Sequence, residues 1–306
     1  MNTASVIIVT YNSAAFIQSC LESVYAAISE KNTEVIIWDN ASTDTTVKKI
    51  KKHFPQATIM ASPTNDGFAA GVNGAAKQAA NDILILLNPD TVVEKKWATA
   101  LLSTFEEHRK VGAVNSKTKI VIEGKEYIQN AGNYVFYDGH SRDRGAVITE
   151  KREQRYETDS EYYQKETTVD AFSGVSVAIP RELFLSLGGF DEHFFMYYED
   201  TDFSLRLQKA GYSIWYQPKS ELKHIHSASS EEWSPFFVFQ TELNRLLFLW
   251  KHFPLETVFA ETAKYKASTF YQLLKLKKRF FTRLKVLFSI ATHLPYLLSY
   301  RWKGTK

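Results

Sequence analysis

Short apolar runs separated by helical-period segments organise the first ninety residues. Ser5-Val6-Ile7-Ile8-Val9-Thr10 reads as a buried strand, and a helix follows from about Ala14 to Ile28. Glu34-Val35-Ile36-Ile37-Trp38-Asp39 reads as a second strand. Ser42-Thr43-Asp44 then supplies capping residues for a helix reaching about Phe54. Ala57 to Met60 is a short third strand, a helix starts near Ala69, and Asp82-Ile83-Leu84-Ile85-Leu86-Leu87 is a fourth strand. Continuously apolar strands alternating with helices predict a mainly parallel sheet covered on both faces, an α/β architecture of Rossmann type.

From Val111 the pattern changes. Short β-like runs at Val111–Asn115 and Tyr134–Tyr137 are broken by Gly132, Gly139 and Gly145. The strongly charged stretch Arg142–Lys165 reads as a mobile surface loop. A strand near Ser176–Ile179, helices at Arg181–Leu187 and from about Thr201 to Ala210, and a strand at Ile214–Gln217 complete a second half. After about Pro235 the chain is mostly helical. The expected division is 1–110 and 111–235 as two halves of one domain, and 236–306 as a helical basic extension.

Charge sharpens that division. The net charge of +3 conceals +10 over residues 236–306 against −7 before them, and no acid occurs from Thr262 onward. On a helical wheel Leu273, Leu276, Phe280, Leu284, Leu287 and Phe288 fall on one side, with Lys275, Lys278, Arg279, Arg283 and Lys285 opposite. Tyr296, Tyr300 and Trp302 lie beyond. A basic amphipathic helix with interfacial aromatics predicts docking on a membrane surface, with packing on the core or in a homodimer as the alternative. Nucleic acid is not expected as a partner, because the rest of the surface is acidic. No apolar run reaches the roughly 18–20 residues that span a bilayer, and no signal peptide is visible, so a cytoplasmic protein held at the inner face of the plasma membrane is expected. The single cysteine, Cys20, excludes an intramolecular disulfide and reads as a buried small hydrophobe.

The candidate chemistry lies just past the strands, where open α/β sheets bind ligands. Thr10-Tyr11-Asn12 ends the first strand and offers polar groups to a base or pyrophosphate. Asp39 can accept from a pyrimidine N3–H, with Asn40, Ser42 and Asp44 in reach of base or ribose. In Asn65-Asp66-Gly67-Phe68-Ala69-Ala70-Gly71-Val72-Asn73, Gly67 permits close backbone approach to a ligand and the helix N-terminus attracts anions. Asp90 of Asn88-Pro89-Asp90 suits a hard divalent cation shared with phosphates. Glu199, Asp200 and Asp202 follow the aromatic run Phe194–Tyr198, and acids in partly apolar surroundings can serve as general bases. His224 and His226 lie past a strand and are candidate metal ligands.

Taken in this order and spacing, these segments resemble the family 2 glycosyltransferases, inverting enzymes of the GT-A fold, and among them a bacterial rhamnosyltransferase-like branch. The resemblance covers about residues 4–230 and includes Gly188-Gly189-Phe190-Asp191-Glu192. It implies a nucleotide-sugar donor, Mg²⁺ or Mn²⁺ on the diphosphate, and an Asp base. Asp90 matches the last Asp of the D-x-D motif, Asn88 departs from its first, Asp200 matches the base, and His224 resembles the late metal-binding histidine, with His226 as fallback. The donor site is expected to draw on Thr10, Tyr11, Asn12, Asp39, Asn40, Ser42, Asp44, Asn65, Gly67, Phe68, Asn73, Asn88 and Asp90. The acceptor side is expected to draw on Ser173, Gly174, Tyr198, Glu199 and Asp202. The implied reaction moves a sugar, from dTDP-rhamnose first or a UDP-sugar second, to a glycan or lipid-linked acceptor in bacterial surface polysaccharide synthesis. A sugar-phosphate nucleotidyltransferase would need a glycine-rich basic loop near Thr10–Ala15, which is absent. A non-catalytic membrane-docked protein would have no use for Asp39, Asp90 and Asp200 together.

Overall fold

The computed structural model describes residues 3–28, 32–149, 154–225, 234–275 and 279–304. The first half alternates as its pattern predicts: β1 (Ala4–Thr10), α1 (Ile17–Ala27), β2 (Thr33–Asn40), α2 (Thr46–His53), β3 (Thr58–Ser62), α3 (Gly67–Gln78) and β4 (Ile83–Leu87). Next come β5 (Thr91–Val93), α4 (Trp97–Glu107), β6 (Val111–Ile122), β7 (Lys125–Asn130), β8 (Asn133–Val135), β9 (Ser141–Asp143), β10 (Ala146–Ile148), β11 (Gln154–Tyr156) and β12 (Thr167–Thr168). The remainder is β13 (Ser176–Pro180), α5 (Arg181–Ser186), α6 (Glu199–Lys209), β14 (Ser213–His224), α7 (Pro235–His252), α8 (Leu255–Leu274) and α9 (Phe280–Gly304).

The main sheet runs β12-β14-β6-β13-β4-β1-β2-β3, with β5 on β14 and β7 on β6. β4, β1, β2 and β3 are parallel neighbours, and β13 lies antiparallel between β4 and β6. Alternate residues of β1 feed different core layers. Ile7 and Val9 pack with residues of α3, α5 and α6, whereas Val6 and Ile8 pack with residues of α1, α2 and α4. Burial on both faces explains the unbroken apolar run.

The second half departs from the sequence expectation in two places. β6 and β14 are twelve-residue strands, not short runs. Their apolar pattern fails because buried polar groups satisfy one another. Ser116 Oγ lies 2.8 Å from Ser176 Oγ and 2.9 Å from Ser220 Oγ. Lys117, fully buried, pairs with Asp159 at 3.1 Å and Glu221 at 3.2 Å. The Arg142–Lys165 stretch, expected as a mobile loop, carries β10, β11 and a 3₁₀ turn at Glu161–Gln164. Tyr163 is buried there, and Arg144 is only 9% exposed. Arg144 and Asp143 make internal hydrogen bonds, whereas Arg155, Glu157, Asp159, Glu161 and Lys165 are exposed.

Two compact units emerge, one of residues 1–134, 142–195 and 199–229, the other of residues 135–141, 196–198 and 230–306. The second unit is built on α7, whose N-cap Ser234 accepts from Phe237 N and is followed by Pro235. Asn244 Nδ2 donates to the carbonyls of Met196 and Tyr197, both at 2.8 Å, holding Tyr197 and Tyr198 at φ 72° and 71°. The C-terminal wheel needs correction. α8 ends at Leu274 and α9 begins at Phe280, so no single helix carries Leu273 through Phe288. Leu276 and Lys278 lie outside the described residues. Arg283 is not on a free basic face: its Nε donates to both Glu242 carboxylate oxygens at 3.1 Å. No described helix is long and apolar enough to cross a membrane.

Gly67 gives a test of packing. It sits at φ 88°, and an added Cβ would collide with the Phe195 carbonyl oxygen. Gly67→Ala should cost roughly 2 kcal/mol or more from the left-handed backbone and the clash together. A thermal melt of the purified variant, several degrees below the parent, is the expected reading.

Candidate active site

The tips of β1 and β2 are laced together. Asp39, 2% exposed, accepts from Thr10 Oγ1 at 2.8 Å, Ser42 Oγ at 2.6 Å and Ser42 N at 2.9 Å. Asn12 N donates to Ser42 Oγ at 2.9 Å, and Asn12 Oδ1 accepts from Thr43 N at 2.8 Å. Asn12 and Ala41 adopt φ 51° and 57° to make these turns. Asp44 accepts from Ala14 N at 3.1 Å and from Thr46 N at 2.9 Å. Burial works to raise its pKa, but these hydrogen bonds, with the Lys49 charge, hold it below the usual carboxylate range. Of the three expected capping residues Asp44 is the one that meets α2, bonding Thr46 N from just before the Thr45 N-cap. Tyr11, half exposed, stands with Asn12 and Thr43 on the open rim.

Several expected donor residues have other work. Asn40 Nδ2 donates to Gly67 O at 2.9 Å while its Oδ1 accepts from Trp38 Nε1 at 3.2 Å. Asn73 donates to Phe190 O and Glu192 Oε1 and accepts from Phe190 N, at 2.8, 2.9 and 2.8 Å. Both amides are used within the fold at each end. The α3 N-terminus is similarly taken: Gly67 N donates to Asn65 Oδ1 at 3.2 Å and Phe68 N to Phe195 O at 2.8 Å. The close approach that Gly67 permits in this structure is by the Phe195 backbone. Phe68 packs against Phe190, their centroids 6.1 Å apart.

Asp90 and His224 meet as the spacing alone could not show. β14 pairs with β5 in a register that sets His224 opposite Thr91. This brings His224 Nε2 to 3.2 Å from Asp90 Oδ1. On the far side of the ring Nδ1 is 2.9 Å from Gln129 Oε1. An amide oxygen only accepts, so it places the ring proton on Nδ1. In the neutral ring the Nε2 lone pair then faces a carboxylate oxygen, two acceptors that a proton or cation would join. Orientation by the second nitrogen is the arrangement typical of metal-binding histidines. Asn88 is partly exposed beside this pair, its N–H bonded to Val175 O at 2.9 Å. His226 lies outside the described residues. Cys20 is fully buried beneath the Asn88–Thr91 turn, and burial pushes its thiol pKa up to about 12, in keeping with its reading as a small hydrophobe. Among the described residues another potential ligand group, Glu107, His108 and Glu166, occurs at the end of α4. It lies three residues before β6 enters the sheet, at the opposite edge from Asp90, and His108 stacks on Trp215.

Asp200 occupies the first turn of α6. Its Oδ2 accepts from Gly174 N at 2.9 Å and its Oδ1 from Thr201 N at 2.6 Å. Burial raises its pKa, and these hydrogen bonds only partly offset the rise. Glu199 is 4% exposed, its Oε2 has no hydrogen-bond partner, and burial followed by the neighbouring Asp200 charge lifts its pKa far above the usual range. Asp202 is corrected as an acceptor contact. It is fully buried and pairs with Arg206 at 2.9 Å, and Arg206 also donates to the Leu187 and Gly189 carbonyls. This ties α6 to the Gly188-Gly189 turn. Tyr198 belongs to the second unit, where its ring packs on Phe248. Ser173 and Gly174 do lie beside Asp200: Ser173 N donates to Asn115 Oδ1 at 2.8 Å. Gln129 and Asn115 were not foreseen. Nothing local in the sequence marks either, because each acts across the sheet.

The model for the family described as "Glycosyl transferase family 2" matches residues 5–184, more than half of the chain. The chain belongs to the family 2 glycosyltransferases. A second model, described as "N-terminal domain of galactosyltransferase", matches residues 154–228, the part that contains Asp200. Among curated relatives, N-acetylglucosaminyl-diphospho-decaprenol L-rhamnosyltransferase of Mycobacterium tuberculosis is 28% identical over 244 residues, covering 74% of this chain and 76% of the relative. Among solved structures, the mannosyltransferase PcManGT from Pyrobaculum calidifontis in complex with GDP-Man and Mn²⁺ superposes with TM-score 0.56 at 17% identity, covering 99% of this chain and 79% of that one. GalNAc-T7 with UDP, GalNAc and Mn²⁺ gives 0.58 at 17% identity, over 82% of this chain and 50% of that one. At such identities these two bear on the fold alone, and the fold of this glycosyltransferase is GT-A.

Proposed function

We propose that this glycosyltransferase inverts configuration in one displacement, moving rhamnose from dTDP-rhamnose, or next a sugar from a UDP donor, to a lipid-linked glycan in bacterial surface polysaccharide synthesis. The observation that carries the reading is Asp200: a carboxylate of raised pKa held by the Gly174 N–H, one residue from Val175, whose carbonyl accepts from Asn88 N beside Asp90. The acceptor hydroxyl oxygen bonds to the anomeric carbon as the bond from that carbon to the diphosphate oxygen breaks. The electron pair leaves with the nucleoside diphosphate, and the hydroxyl proton passes to Asp200. Asp39, Thr10 and Ser42 act by fixing the β1 and β2 tips, leaving Tyr11, Asn12 and Thr43 on the rim to meet the nucleotide. Asp90 and His224, with Asn88 beside them, would hold Mg²⁺ or Mn²⁺, which when bound supplies positive charge toward the leaving diphosphate. Rhamnose and the lipid-linked acceptor are supported by the mycobacterial relative, whose name specifies both. Mixing the purified protein with dTDP-rhamnose, UDP-hexoses or UDP-galactofuranose and a lipid-diphosphate GlcNAc acceptor tests this directly. Transfer with inverted anomeric configuration is expected, and a retained configuration would discard the single displacement.

The reading includes peripheral attachment to the inner face of the plasma membrane, now through a different surface from the one the wheel suggested. Phe281, Leu284, Phe288, Ala291, Pro295, Leu298 and Trp302 recur every three or four residues along the exposed face of α9. Val286, Ile290 and Leu297 are buried on the other face. Residues 262–306 hold 11 Lys and Arg and no acid, so a second copy of the chain would set like charges against each other, whereas anionic lipid would neutralise them. Replacing Phe281, Phe288 and Trp302 with Ser, all more than 70% exposed, should abolish co-sedimentation with anionic liposomes without lowering the melting temperature. Unchanged sedimentation would place the contact elsewhere.

A further inference from the structure

A cavity of about 670 Å³ opens between Tyr134, Arg142, Arg144 and the strand and turn residues Ala146, Glu157, Ser160, Tyr162 and Tyr163. Nothing in the reaction just described uses it. Its chemistry centres on Arg144, a guanidinium only 9% exposed. Nη1 donates to Ala131 O at 3.1 Å and Nη2 to Tyr162 Oη at 2.8 Å. Tyr134, Tyr162 and Tyr216 surround it, their ring centres 5.8, 5.3 and 5.9 Å from Cζ. Its Nε is buried without a partner, and among the described residues no carboxylate pairs with it. Glu157, the acid on the rim, instead accepts a hydrogen bond from Tyr163 Oη. Buried charges are ordinarily matched by an opposite charge. Among the described residues that match is missing, and the cation stands beside an open cavity lined by phenol hydroxyls.

The cavity is also joined to the catalytic edge. Gly174 N holds Asp200, and Ser173 N, one residue earlier, donates to Asn115 Oδ1. Asn115 Nδ2 donates to Asn130 Oδ1 at 3.0 Å, and Asn130 Nδ2 to Asp143 Oδ1 at 2.8 Å. Asp143 immediately precedes Arg144. This run of hydrogen bonds fixes the Arg144 turn relative to the base. The flanking tyrosine faces suit a pyranose ring, and the phenol hydroxyls with Arg144 suit an oxyanion on that ring.

We propose that this cavity is an acceptor subsite for a negatively charged saccharide unit, bearing phosphate or carboxylate. The acceptor part rests on the glycosyltransferase reading, whereas the anion part does not. The test is calorimetric binding to the full chain with UDP and dTDP in excess, so that the nucleotide site is filled. The probes are glucose 1-phosphate, glucuronic acid, glucose and inorganic phosphate. Glucose 1-phosphate or glucuronic acid should bind at least roughly tenfold tighter than glucose, since a charge-assisted hydrogen bond typically supplies that much. Inorganic phosphate should bind more weakly than the sugar phosphate, because it lacks a ring to stack. Added salt should weaken all anionic probes. Tyr162→Phe removes the hydroxyl that accepts from Arg144 Nη2 and should lower affinity severalfold, with a circular-dichroism spectrum matching the parent's showing that the fold is kept. Arg144→Gln should abolish the preference for anions. If that variant fails to fold, Tyr162→Phe decides. Equal binding of glucose and its phosphate, or unaltered binding in Tyr162→Phe, overturns the subsite. Transfer is not read in this assay, so anion binding without any glycosyl transfer would keep the cavity and discard its assignment to an acceptor.

Discussion

Replacing Asp200 with Asn is expected to lower transfer by roughly 10²–10⁴ while nucleotide-sugar affinity stays near that of the parent. The amide keeps the shape of the carboxyl and an oxygen able to accept from Gly174 N, so the α6 start should stay in place. What it loses is the ability to take the acceptor's proton. Because the Asp200 pKa is raised, rate should fall as pH drops through that elevated value, at higher pH than an ordinary carboxylate would give. Stability should move the opposite way. A carboxyl whose folded-state pKa is raised contributes stability below its unfolded pKa and loses that contribution as pH rises through the folded value. Glu199 has the same sign, by burial and by its charged neighbour. Asp200→Asn relieves the buried charge but gives up one of the two backbone hydrogen bonds, so its melting temperature should stay close to the parent's at neutral pH. Turnover above about a tenth of the parent rate would move the base to Glu199, since Asp202 is already paired with Arg206.

Asp90→Ala is expected to abolish stimulation of transfer by Mg²⁺ or Mn²⁺ and to weaken donor binding. The residue is 3% exposed and lies 3.2 Å from His224 Nε2. Removing it leaves the histidine without the carboxylate it faces. Gln129→Leu should act more mildly, since it removes the group that orients the ring but no ligand; losses of 10–100-fold in metal affinity are typical of such partners. Asn88→Asp should be tolerated, because it adds a ligand charge at a partly exposed position. Metal titration followed by intrinsic fluorescence, alongside the transfer assay, separates a lost cation from a lost fold. Full activity in excess EDTA would remove the cation from this account.

The strand–helix alternation of residues 4–87 was legible in the sequence because those strands are buried on both faces and read as uninterrupted apolar runs. The positions of Asp39, Asp90 and Asp200 at the ends of elements were legible for a related reason. Each follows, or opens, an element whose end the pattern locates, and open sheets put ligands at those ends. What lay across the sheet was not legible. β6 and β14 hide their strand character behind Ser116, Lys117 and Ser220, polar residues that are buried because partners far along the chain satisfy them. Local composition could not show that Asn40 and Asn73 are used inside the fold, since their partners are 27 and 117 residues away. Charge likewise made Arg142–Lys165 look like a solvated loop, until pairing placed Arg144 among three tyrosines. The tail showed its basic character in sequence, but not which apolar face it would leave exposed. α8 ends at Leu274 and α9 begins at Phe280, so a single wheel drawn across both mixes two helices. Sequence by itself determined the elements whose burial is uniform along the strand. Register and packing alone decided which polar side chains are spent on the fold and which converge on one site, because a hydrogen bond across a sheet leaves no periodic trace in either strand.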